Sequence, residues 1–123
     1  HSYGRMTLHD KEGNPATPLY TVSHCSPKIY RIYFGEDFDK FGIDGKYYQQ
    51  IQVQGDTLTM NAFDASTGSL YDCVKIVKDK GQTRLLDKGK DIPENLNFTP
   101  APGNKKDQEY MERINAYKQK KGR

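Results

Sequence analysis

The sequence has no tryptophan, two cysteines and three histidines in 123 residues, and only 34% of it is apolar. No apolar run exceeds a few residues, which excludes a membrane-spanning helix. Two cysteines exclude a disulfide-dense scaffold and leave one bridge or two thiols at Cys25 and Cys73. The N-terminus His1-Ser2-Tyr3-Gly4-Arg5 has neither a basic region nor an apolar stretch behind it, so no signal peptide is read there. A chain opening on histidine reads as a portion of a longer protein. The length suits one domain or part of one, with little apolar material for a large core.

Charge of one sign is also scarce in the body. Residues 1–103 hold 12 Lys and Arg against 13 Asp and Glu, whereas residues 104–123 hold 7 against 3. The net charge of +3 therefore comes from the C-terminal twenty residues, and a basic surface for nucleic acid is not indicated.

What is present reads as short strands. Pro18–Ser23 and Lys28–Tyr33 are rich in aromatic and β-branched residues, and Ser26-Pro27 separates them. Residues 35–44 are loop-like, with two glycines and the acids Glu36, Asp37, Asp39 and Asp44. Lys46–Gln54 alternates, placing Gln50, Gln52 and Gln54 on one face and Ile51 and Val53 on the other. Gly55-Asp56 supplies a hairpin turn, and Thr57–Phe63 returns with Leu58, Met60 and Ala62 on one side. Leu70–Lys78 adds a third strand and Thr83–Leu86 a short further one. The expectation is an antiparallel meander or sandwich with one buried and one wet face.

Residues 92–103 carry three prolines and should run extended. Tyr110, Met111, Ile114 and Tyr117 then recur at helical spacing behind the cap Asn104, with Asp107 and Glu109 early and Lys118, Lys120 and Lys121 late. The fold class expected is mainly β with one C-terminal α-helix, divided into a β-rich part, 1–77, and an extended linker with a basic helix, 78–123.

Chemistry is thin. His9 and His24 lack a metal-ligand spacing and are read first as structural. His24-Cys25 is no nucleophile pair, because strand neighbours point to opposite faces. The tyrosines at 20, 30, 33, 47, 48 and 71 fit half-buried sheet positions with wet hydroxyls, a sugar platform being the lesser reading. No phosphate loop, zinc-finger spacing or Ser-His-Asp set is present.

One ordered set of segments goes further. His1-x-Tyr3-x-Arg5, then Pro18–Tyr30 with its Ser26-Pro27-Lys28, Phe41-Gly42-Ile43, Thr57-Leu58-Thr59 and Tyr71-Asp72 together resemble the C-terminal part of calcineurin-like metallophosphoesterases, in the purple acid phosphatase branch. The resemblance spans roughly residues 1–77. It implies the closing strands of a four-layer αββα sandwich and a hydrolase of phosphate esters. His1 matches the second histidine of a Gly-His-x-His-x-Tyr-x-Arg motif, a ligand to a dinuclear centre of Fe, Zn or Mn. Tyr3 and Arg5 would support the site, Arg5 either near phosphate or in a structural ion pair. The remaining ligands would come from an N-terminal catalytic portion of the same polypeptide, so this chain alone should be inactive. A secreted or periplasmic location follows from the family alone. Two other readings stand beside it: a non-catalytic β-sandwich accessory or binding module, and a copper site built on the amino group and imidazole of His1 together with a second histidine.

Overall fold

The structure is a computed structural model and describes residues 2–23 and 38–122. The chain forms β1 (Ser2–His9), β2 (Pro15–Ser23), β3 (Lys40–Ile43), β4 (Tyr47–Gln54), β5 (Thr57–Asp64), β6 (Leu70–Asp79), β7 (Gln82–Asp87) and α1 (Lys105–Lys120). The strands make two antiparallel sheets, ordered β2-β1-β3 and β4-β5-β6-β7. The chain is thus mainly β with one C-terminal helix. His1, the strand expected at Lys28–Tyr33, and His24 and Cys25 lie outside the described residues.

The sheets pack face to face. Tyr3 of β1 and Leu19 of β2 meet Tyr47, Met60, Ala62, Tyr71, Val74 and Leu85 from the four strands of the other sheet. The rings of Tyr3, Tyr47 and Tyr71 form a triangle with centroids 4.9–5.8 Å apart, tilted or edge-on as ring quadrupoles favour. A second apolar cluster lies on the far side of β3, where Phe41 and Ile43 pack against Leu96, Ile114 and Tyr117. The layers therefore run helix, three-stranded sheet, four-stranded sheet.

The meander forms as its alternation requires. β4 and β5 pair without a slip from Tyr47↔Asp64 to Gln54↔Thr57, and Gly55 takes the positive φ (59°) that a two-residue turn needs. The core face is covered over only part of its length, however. Met60 and Ala62 are buried, but Ile51 and Val53 remain 56% and 69% exposed. The alternation is real, and the three-stranded sheet covers only the Tyr47 end of the hairpin. Ile51 and Val53 are on the core-facing side but beyond its reach.

The loop expected over residues 35–44 is corrected at its C-terminal end. Lys40–Ile43 is a wholly buried strand paired to Ser2–Arg5. Polar neighbours masked it, because the Lys40 ammonium is buried by donating to the carbonyls of Gly89 (2.5 Å) and Ile92 (2.8 Å). Gly42 is required there: a Cβ would stand 2.6 Å from the Tyr47 hydroxyl and 3.0 Å from that of Tyr71.

Residues beyond 77 are built into the same unit. The expected boundary at 77/78 falls inside β6, and β7 completes its sheet. Residues 92–103 have no regular secondary structure, yet Ile43 N–H donates to the Asn95 carbonyl (2.9 Å) and Phe41 N–H to Glu94 (2.8 Å). The side chain of Asn104 accepts from Asp107 N–H at 3.2 Å, as an N-cap should. Gly42→Ala should cost about 1–3 kcal/mol through overpacking against two tyrosine hydroxyls, read as a lower urea midpoint with an unchanged slope.

Candidate functional site

Tyr3, Arg5 and Thr7 alternate along β1 and so point together between the sheets. Arg5 is fully buried, a position a guanidinium occupies only with partners. Its Nε donates to Asp72 Oδ2 at 2.7 Å, and Nη2 reaches Asp72 Oδ1 at 3.3 Å and Asp87 Oδ2 at 3.0 Å. The Tyr3 hydroxyl donates to the same Asp72 Oδ2 at 2.7 Å. Asp72 also accepts from Cys73 N–H at 2.9 Å. One carboxylate on β6 therefore holds two side chains of β1 across the interior of the sandwich.

Asp39 closes the other end of the cluster. It lies 3.9 Å from Arg5 Nη1, accepts from the Thr7 N–H (2.7 Å) and hydroxyl (2.6 Å), and pairs with His9 Nε2 at 3.0 Å. Gly89 roofs Asp72, where a Cβ would fall 2.0 Å from Oδ1. Burial opposes the Arg5 charge, but Asp72 and Asp87 outweigh it and hold the guanidinium protonated well above its ordinary range. Burial, then the Asp72 charge, pushes the Tyr3 phenol far up. Desolvation raises Tyr47 to about 12 and Tyr117 further still. The Cys73 thiol also rises on burial, which makes it a poor nucleophile.

The sequence had marked Tyr3 and Arg5, and the structure unites them with Asp72 and, through the Tyr3–Tyr71–Tyr47 rings, with Gly42. His9 joins the cluster at its solvent edge, 45% exposed on its side chain. His1 falls outside the described residues. Asp87 and Asp39 were not singled out as site residues, since an isolated aspartate at a strand end carries no readable signal. The three aspartates do not form a metal cradle, because the guanidinium of Arg5 already fills the space between them. Among the described residues no group of three or more His, Cys, Asp or Glu is arranged to hold a metal ion. No described helix is long and apolar enough to cross a membrane.

No protein-family model matches this sequence, and no curated protein or solved structure matches it.

Removing one partner of a buried pair leaves an uncompensated charge, so Arg5→Met and Asp72→Asn should each destabilise by about 3–5 kcal/mol in denaturant titrations. Asp87→Asn should cost less, since its carboxylate keeps some solvent. The raised tyrosines fix the alkaline limb of stability. Their folded pKa values exceed the ordinary value of about 10, so their contribution is complete below pH 10 and is lost on going higher. With three such groups the slope should approach about 4 kcal/mol per pH unit above pH 10, seen as loss of circular dichroism coincident with the rise of tyrosinate absorbance. Gradual ionisation without unfolding would contradict it.

Proposed function

We propose that this chain is the C-terminal part of a metal-dependent phosphoesterase. In that reading His1 supplies one ligand to a dinuclear centre, the other ligands come from an N-terminal portion of the same polypeptide, and phosphate esters are the substrates. Such a centre activates a water and clamps the phosphoryl oxygens. Apart from His1 the chain contributes a scaffold and is inactive when separate, and the family places its parent in a secreted or periplasmic location.

One observation carries the reading. Tyr3 and Arg5, Gly42, and Tyr71-Asp72 are up to 69 positions apart, are the segments grouped with His1 by the resemblance, and meet at one buried cluster. The strand that His1 precedes in sequence is clamped in this way, and a metal ligand requires rigid support. Tyr3 and Arg5 then serve by fixing β1, with Nε and Nη2 of Arg5 spent on Asp72 and Asp87 instead of phosphate.

A second reading is a self-contained β-sandwich binding module. It is favoured by two apolar clusters formed from the described residues alone and by the exposed rings of Tyr20 and Tyr48.

The full polypeptide that contains this chain decides between them. Its reading frame should spell Gly-His-x ahead of His1. It should hydrolyse p-nitrophenyl phosphate, lose activity to a chelator and regain it with Fe, Zn or Mn. His1→Ala should lower kcat more than about 100-fold while leaving the melting temperature unchanged, because outer-shell changes alone cost 10–100-fold. A different preceding sequence, or full activity in His1→Ala, sinks the proposal. A separate 123-residue chain that melts cooperatively and ignores added metal then supports the module.

A further inference from the structure

A cleft of about 630 Å³ lies between the β1–β2 turn and β7. One wall is the turn and the start of β2. The other is β7 from Thr83 to Asp87, followed by the loop that bears Lys88 and Lys90. The cleft therefore follows a strand, over about 16 Å for five extended residues. β7 is also an outer strand: among the described residues its backbone pairs with β6 on one side and with no strand on the other. Such an edge leaves N–H and C=O groups open to an added strand.

The charges in the cleft are unbalanced. Arg84, Lys88 and Lys90 line it and are exposed, and none of them makes an ion pair among the described residues. The two acids that line it are engaged nearby. Asp87 gives Oδ2 to Arg5 at 3.0 Å and Oδ1 to the Gly89 N–H at 3.1 Å. Asp10 turns Oδ1 onto the N–H groups of Glu12 and Asn14, at 3.0 and 2.8 Å.

The cations are also held in place. Lys88 N–H donates to the Cys73 carbonyl at 2.9 Å, and the carbonyls of Gly89 and Ile92, on either side of Lys90, hold the buried Lys40 ammonium. A loop pinned in this way presents its lysines at little ordering cost. Arg84 and Lys88 are four positions apart, about 13 Å of extended chain, a repeat over which carboxylates at alternate positions of an extended peptide recur on one face.

We infer that this cleft takes an extended acidic segment of a partner protein, which pairs its backbone with the outer edge of β7 and sets its carboxylates against Arg84, Lys88 and Lys90. The same cations guard the edge against a second β7, whose like charges would repel it, so the edge selects its partner by sign. Such a site needs neither His1 nor a metal.

Fluorescence anisotropy of a labelled peptide of alternating glutamate and threonine, titrated with the 123-residue chain at low salt, tests this. Binding should fall in the upper micromolar range for so small a contact and weaken as salt is added. A peptide with lysine in place of glutamate should not bind. One with proline in place of threonine keeps the charges but loses backbone donors, and should bind at least about fivefold more weakly. Arg84→Glu and Lys88→Glu should each weaken binding at least about threefold, whereas Lys106→Glu, the same change of net charge on α1, should leave it unchanged. All three residues are exposed, so circular dichroism should show native folding in each variant. Absence of binding up to about 1 mM chain overturns the inference. So does equal binding of the proline peptide, an equal effect of Lys106→Glu, or full displacement of the peptide by inorganic phosphate at matched ionic strength, which would make the cleft a small-anion site.

Discussion

The fold depends on one carboxylate. Asp72 on β6 accepts from Tyr3 and Arg5 of β1 with no solvent to share the load. A guanidinium cannot sit in an apolar interior unless its charge is matched, so the sheets must approach in the one register that brings Asp72 and Asp87 to Arg5. Asp39 extends the same match to the segment leading into β3, and its carboxylate fixes Thr7 and His9. The tyrosine triangle packs beside this cluster and supplies the apolar surface that a sequence poor in leucine and phenylalanine would otherwise lack.

The C-terminal third follows from that arrangement. With one face of β3 turned towards the second sheet, Phe41 and Ile43 point the other way and need cover. Leu96, Ile114 and Tyr117 provide it. The extended segment before the helix is held by Tyr71, whose hydroxyl donates to the Phe41 carbonyl and accepts from Asn95 N–H. Tyr117 in turn donates to Glu94 at 2.6 Å. Core, edge segment and helix are thus linked through tyrosine hydroxyls at the boundaries between layers, where a ring can be dry and its oxygen still partnered.

This scaffold bears on function through β1. A strand fixed by a buried ion pair holds its N-terminal end rigidly, and it is the residue ahead of it that the phosphoesterase reading makes a ligand. The metal chemistry in that reading belongs to residues outside the described cluster, whose three carboxylates are engaged by Arg5, Tyr3, Thr7 and His9. The character of the bare end of the β4–β5 hairpin is set by exposed Ile51 and Val53.

The local pattern alone determined much of this protein. Alternation with a Gly-Asp turn specified the β4–β5 hairpin, and apolar spacing behind Asn104 specified the helix, because both signals lie within a few consecutive residues. Tyr3, Arg5 and Tyr71-Asp72 were singled out by the resemblance to metallophosphoesterases and not by any local periodicity. The partnership among them was decided only by the tertiary structure, since an ion pair between residues 67 apart leaves no periodicity to read. β3 was hidden for the same reason. Lys40 and Gly42 are poor strand signals until the carbonyls of Gly89 and Ile92 and the ring of Tyr47 are brought against them. Alternation likewise assigned Ile51 and Val53 a common face, but whether that face is covered depends on how far the opposing sheet extends, and no property of the strand itself encodes that.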